Sequence, residues 1–96
     1  MLTNQRPIHP GVYIQNTYLA PRKISHKQLA EALGINQVRI DEVLCGDSSI
    51  TPDMACRLAR FFNTTASFWI ALQMQVDLWD TLQLNGKEYE RIRGIA

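Results

Sequence analysis

This sequence is poor in the features that mark a membrane protein, a metalloprotein or a disulfide scaffold. Its longest strictly apolar run is Phe68 to Leu72, far short of the roughly 20 residues that span a bilayer. It has only two cysteines, Cys45 and Cys56, and two histidines. No C-x-x-C pair and no His cluster is present to complete a zinc site, so two free thiols are expected and no metal. The N-terminal stretch MLTNQRPIHPG has no apolar signal-peptide core, which predicts a cytoplasmic protein. Charge of one sign is also lacking: the formal net charge is +1, so no strong basic field advertises a nucleic-acid partner. There is no P-loop, no glycine-rich dinucleotide fingerprint and no nucleophile paired with a base at motif spacing. Asp41 and Glu42 do not form an acid–base pair, because adjacent helix residues diverge by about 100°. The chain is read as a non-enzyme without a cofactor.

Strand patterning is missing too. No segment alternates apolar and polar residues convincingly, and there is no internal repeat or low-complexity tract. What remains is helical. With 96 residues, 46% of them hydrophobic and 20% charged, the chain suffices for one small domain with a single core.

The stretch Ser25 to Gly46, SHKQLAEALGINQVRIDEVLCG, organises the rest. Leu29, Ala30 and Leu33 put an apolar stripe on a first short helix, with Ser25 as its cap and Gly34 as its left-handed stop. Asn36 caps a second helix, whose stripe is Ile40, Val43 and Leu44. Neither helix is stable alone at this length, so each must pack on the other, and small Ala30 allows them to approach. A helix, a short turn containing glycine and a second helix make a helix-turn-helix.

The flanks supply the remaining helices. Met1 to Ile8 is polar and expected to be loosely ordered. His9-Pro10-Gly11 opens a helix carrying Val12, Tyr13, Ile14, Tyr18 and Leu19, which Pro21 is expected to end. Thr51-Pro52 starts another, with Met54, Ala55, Leu58, Ala59 and Phe62 on its stripe and Arg57 and Arg60 on a solvated face. Asn63-Thr64-Thr65 breaks it, and a final helix is expected from about Ala66 to Leu82. Trp69, Leu72, Val76 and Trp79 recur there at 3-4-3 intervals, which suits a dimer contact through Trp79 and Val76 as well as a core. The expected organisation is a domain over 8–82 and a C-terminal tail over 83–96.

In a DNA-binding helix-turn-helix the second helix enters the major groove. Opposite the buried stripe of that helix lie Val38, Glu42 and Cys45, flanked by Arg39 and Asp41, with Gln37 at the N-terminal edge. Glutamine reads adenine, arginine reads guanine, and Val38 suits a thymine methyl. Asp41 and Glu42 either accept from cytosine or form a solvated face paired with a base such as Arg39. Phosphate contacts are expected from Lys23, His26, Lys27 and Gln28, and from Ser48 and Ser49 in the loop after Gly46.

His9-Pro10-Gly11, the central stretch, and ITPDMACRLARFFNTTASFWIALQMQVDLW together resemble the HigA/VapI antitoxins. These belong to the Xre, lambda-repressor-like, helix-turn-helix class, and the resemblance covers about Ile8 to Asp80. It implies an all-α five-helix fold and a homodimeric antitoxin. Such a protein binds palindromic operator DNA as an autorepressor and neutralises a HigB-type ribonuclease toxin. By position, Gln37, Val38, Arg39 and Asp41 fall where the family reads bases. His26, Lys27 and the segment Cys45 to Ser49 fall where it meets the backbone. The family commonly carries Ser-Arg at the places of Asp41-Glu42 and Asn at that of Cys45. These departures bear on the strength and sequence of operator binding and leave the core positions untouched. Two other functions compete: a solitary Xre-type regulator, and a toxin-binding interaction module with weak DNA binding.

Overall fold

A computed structural model of the chain describes residues 5–95. The first helical rod is built from three consecutive pieces: α1 (Pro10–Ile14), a π-helical stretch (Gln15–Leu19) and α2 (Ala20–Arg22). Four more helices follow: α3 (His26–Leu33), α4 (Gln37–Leu44), α5 (Pro52–Phe62) and α6 (Ala66–Glu90). Among the described residues there is no strand, and no helix is long and apolar enough to cross a membrane.

Each helix start has the cap its sequence calls for. Ser25 Oγ accepts from the Gln28 N–H at 3.0 Å and Gln28 Oε1 from the Ser25 N–H at 2.8 Å, a complete capping box. Asn36 Oδ1 accepts from the Val38 N–H at 2.8 Å. Thr51 and Thr65 accept from Met54 and Phe68, each at 3.2 Å. Gly34 closes α3 in the left-handed conformation, at φ 68°, where a Cβ would be strained.

Pro21 does not end the first rod, contrary to expectation. The chain remains helical through Arg22 and stops at Lys23, which is left-handed with φ 54°. The π-helical stretch absorbs the proline: Ala20 N–H already bonds back to the Gln15 carbonyl, a wider turn than the α register. The Thr17 and Tyr18 carbonyls are taken by Arg22 Nη1 at 3.3 and 3.5 Å.

The core is one cluster to which α1, the π-helical stretch and α3 to α6 contribute. Trp69, fully enclosed, is its largest member, and its Nε1 donates to Thr64 Oγ1 at 2.7 Å. Tyr13, Tyr18, Phe62 and Phe68 surround it, with Tyr18 and Phe62 stacked at 4.2 Å. Val76 is only 1% exposed, so the expectation that it meets a dimer partner is overturned: it faces inward within one chain. Trp79 is half-buried, with its indole N–H enclosed and without a hydrogen-bond partner. Arg57 lies on the exposed face expected of it and is also anchored there. It spans from Asp53 Oδ2 at 2.9 Å to the Leu33 carbonyl at 2.8 Å, satisfying an orphan acceptor at the end of α3.

Helix α6 continues past Leu82 to Glu90. Nothing lies within 4 Å of a Cβ placed on Gly86, so this glycine serves no close contact and costs the helix only about 1 kcal/mol. The molecule is therefore long, 51 × 23 × 23 Å. At the other end, residues 1–4 of the stretch expected to be loose lie outside the described residues. Arg6 is anchored across α6 by a two-pronged ion pair with Asp80 at 2.8 and 2.9 Å. That bond holds the Asp80 carboxyl below its ordinary range.

Two contacts seat α4 on the first rod. At Gly11 a Cβ would fall 1.7 Å from the Val43 carbonyl oxygen and 3.0 Å from Leu44 Cα, so the two backbones touch and no side chain fits between them. His9 caps α1 through Nδ1, which accepts from the Gly11 N–H at 2.9 Å. Its ring packs beside Gly46, in the loop after α4.

Gly11→Ala should lower stability by at least about 1–3 kcal/mol, the usual cost of overpacking, read as a lower urea midpoint at unchanged slope. A change below about 0.5 kcal/mol would show that the backbones part easily. Burial, aided by Arg6, holds the His9 imidazole below its ordinary pKa. The unfolded chain therefore takes up this proton first, and His9 costs stability as pH falls from about 6.5 through the folded value. His9→Asn, which keeps a capping acceptor, should flatten the urea-midpoint profile between about pH 7 and 5; an unchanged slope would contradict this.

Candidate nucleic-acid interface

Helix α4 presents the face that the helical period assigns to it. Ile40, Val43 and Leu44 are buried, while Gln37, Val38, Arg39, Glu42 and Cys45 are exposed and Asp41 is half-exposed. Val38, at 64% exposure, stands at the centre of the outward face. Among the described residues Gln37 and Arg39 make no side-chain hydrogen bond within the chain, which leaves their donors free.

The carboxylates behave differently. Asp41 is not paired with Arg39: its Oδ1 sits 2.8 Å from His26 Nδ1, and His26 Nε2 is 2.9 Å from Gln15 Oε1. Glu42 turns toward the following loop, where Oε2 accepts from Ser48 Oγ at 3.2 Å. The Glu42 carbonyl accepts from the Asp47 and Ser48 N–H groups at 2.8 and 3.1 Å. Cys45 Sγ lies 3.3 Å from that same carbonyl and 3.2 Å from Asp47 Oδ2. The rod is thus polar along its length, with free amide and guanidinium donors near its start and carboxylates near its end.

The surrounding donors are equally divided. Lys23, Lys27 and Ser49 are exposed. His26, Gln28, Ser48 and Cys45 also border α4, but each already uses a polar atom within the chain. The loop that carries Ser48 and Ser49 is pinned from behind by Gln73. This buried glutamine accepts from the Ile50 N–H at 2.9 Å and donates to Asp77 at 3.0 Å. Sequence reasoning missed Gln73, Gly11 and Gln15. A glutamine inside the apolar stripe of α6 was the available signal for Gln73, and the Pro-Gly pair was one for Gly11. None existed for Gln15, whose direction depends on the π-helical stretch.

Comparison with known proteins places this geometry in a family. A helix-turn-helix family model matches residues 17–69. The chain is 35% identical over 79 residues to antitoxin HigA-1 of Vibrio cholerae, covering 82% of this chain and 74% of that protein. The structure of the Pseudomonas aeruginosa antitoxin HigA with the higBA promoter matches with a TM-score of 0.90 and 35% identity, over 95% of this chain and 100% of that one. A HigA-family addiction module antidote protein from Coxiella burnetii matches at 0.88 and 40% identity, over 96% of this chain and 100% of that one. Fold, motif and relatives agree, and the chain belongs to the Xre-type helix-turn-helix family, in the group that includes the HigA proteins.

Proposed function

We propose that this chain is a cytoplasmic antitoxin that represses its own operon by seating α4 in the major groove of operator DNA, and that it neutralises a HigB-type ribonuclease toxin. The observation that carries the DNA half is the outward face of α4. An unpaired glutamine and an unpaired arginine flank an exposed valine there, so amide and guanidinium donors and an apolar surface stand together as base edges require. In this reading Gln37, Val38 and Arg39 read bases, and Asp41 joins them from the edge of the rod. Lys23, Lys27 and Ser49 supply the main phosphate contacts, with Gln28, Cys45 and Ser48 contributing through whatever atoms their internal bonds leave free and His26 only through its backbone N–H. The Pseudomonas relative solved with promoter DNA supports the same use of the fold. The toxin half rests on the antitoxin relatives; a neighbouring reading frame for a small basic ribonuclease separates an antitoxin from a solitary regulator.

A palindromic operator needs two reading helices about 34–36 Å apart, hence a dimer. Met74 and Leu78, 59% and 58% exposed, continue with Ala71, Leu82 and Tyr89 as an apolar stripe on the side of α6 opposite Trp69, Gln73 and Val76. We assign the self-complementary contact to this stripe.

The experiment is a gel-shift titration on the protein's own upstream DNA at two salt concentrations. Specific binding that weakens steeply with salt is expected. Arg39→Ala should cost about 1–3 kcal/mol on the operator and relax its specificity. Equal loss on every sequence would mean that Arg39 touches only phosphate, and no shift at micromolar protein would leave the interaction module as the reading.

A further inference from the structure

The hydrogen-bonded chain Gln15–His26–Asp41 joins three separate segments at the edge of the reading face. Gln15 comes from the π-helical stretch, His26 is the first residue of α3, and Asp41 lies midway along α4. The His26 and Asp41 side chains are 41% and 48% exposed, so the pair adds little to stability. The motif does not need it to fold, since the caps and the apolar stripe already fix both helices. What the chain does fix is a direction. An aspartate on an exposed helix face has several rotamers, and among phosphates it is repelled. Here Oδ1 is held by the imidazole, and Oδ2 has no partner among the described residues.

An ionised carboxylate only accepts. In the major groove the available base donors are the amino groups of cytosine and adenine. Adenine presents its N7 acceptor beside the amino group, which a carboxylate meets with repulsion, whereas cytosine presents the amino group alone. We propose that His26, backed by Gln15, is a positioning residue that turns Asp41 into a reader of cytosine at one position of each half-site. This proposal rests on the reading of α4 as the groove-entering helix.

The arrangement is robust to the protonation of the ring. With Gln15 Oε1 facing Nε2, a charged imidazole donates to both partners. Turning the Gln15 amide about its end offers its NH2 to a neutral ring, which still donates to Asp41 from Nδ1. Asp41 is held in either case.

The test is selection of bound duplexes from a random DNA library by the full-length chain, followed by sequencing. Wild type should favour a C·G pair at one half-site position by about tenfold over the other pairs. Asp41→Ala should abolish that one preference and leave the others. His26→Ala should reduce it several-fold at the same position only, and Gln15→Leu should do so more weakly. His26→Asn, whose amide nitrogen takes the place of Nδ1 and can still donate to Oδ1, should restore it. Uniform weakening at all positions by His26→Ala, with no rescue by His26→Asn, would overturn the positioning role. A wild-type motif whose profile Asp41→Ala leaves unchanged would overturn this inference alone. Enrichment of no motif by wild type would overturn the DNA-binding reading with it.

Discussion

The backbone of Gly11 lies directly on the backbone of Val43 and Leu44, and the reading surface depends on that contact. With no side chain between them, α1 and α4 approach closely enough for Ile40, Val43 and Leu44 to sink into the core. Everything outward on α4 follows from what is sunk, because one turn of helix allows only one face to be buried. The neighbouring His9 extends the same seating, capping α1 while its ring rests beside Gly46. Gln73 holds the next stretch of loop from the α6 side. Helix α4 is thus fixed at its C-terminal end and along the loop that follows it.

The surface held in this way is built for discrimination more than for raw attraction. A net charge of +1 and three carboxylates at Asp41, Glu42 and Asp47 leave little of the long-range pull that basic repressors use. In the proposed reading, binding comes from short-range matching: free donors on Gln37 and Arg39, the apolar surface of Val38, and a carboxylate held in one direction. An acidic reading face also penalises the wrong sequence, which is specificity by repulsion as well as by contact.

Much of the architecture is written locally, and that part was legible. Ser25, Gly34, Asn36, Thr51 and Thr65 act within three or four residues of themselves, so caps and stops can be read from a single window. The stripe of α4 is equally local. What could not be read depends on distant partners or on a change of helical register. Pro21 is tolerated because the π-helical stretch before it rearranges the carbonyls that a proline would meet. That stretch also turns Gln15 toward His26. Heptad spacing placed Val76 on a seam, but spacing alone does not say whether the seam faces a second copy or its own core; Trp69 and Gln73 share its side and settle it. The bond from exposed Arg57 to the Leu33 carbonyl carries no sequence signature either. The extension of α6 past Asn85-Gly86 defied the turn chemistry of that dipeptide.

The most direct test of the account is where Val38 goes when DNA is added. Methyl-labelled protein bound to its own upstream duplex should give nuclear Overhauser contacts from the Val38 methyls to major-groove base protons, while Ile40 and Val43 keep only their contacts within the core. Absence of any Val38 contact to DNA, with the perturbed methyls confined to Met74, Leu78 and their neighbours on α6, would contradict it.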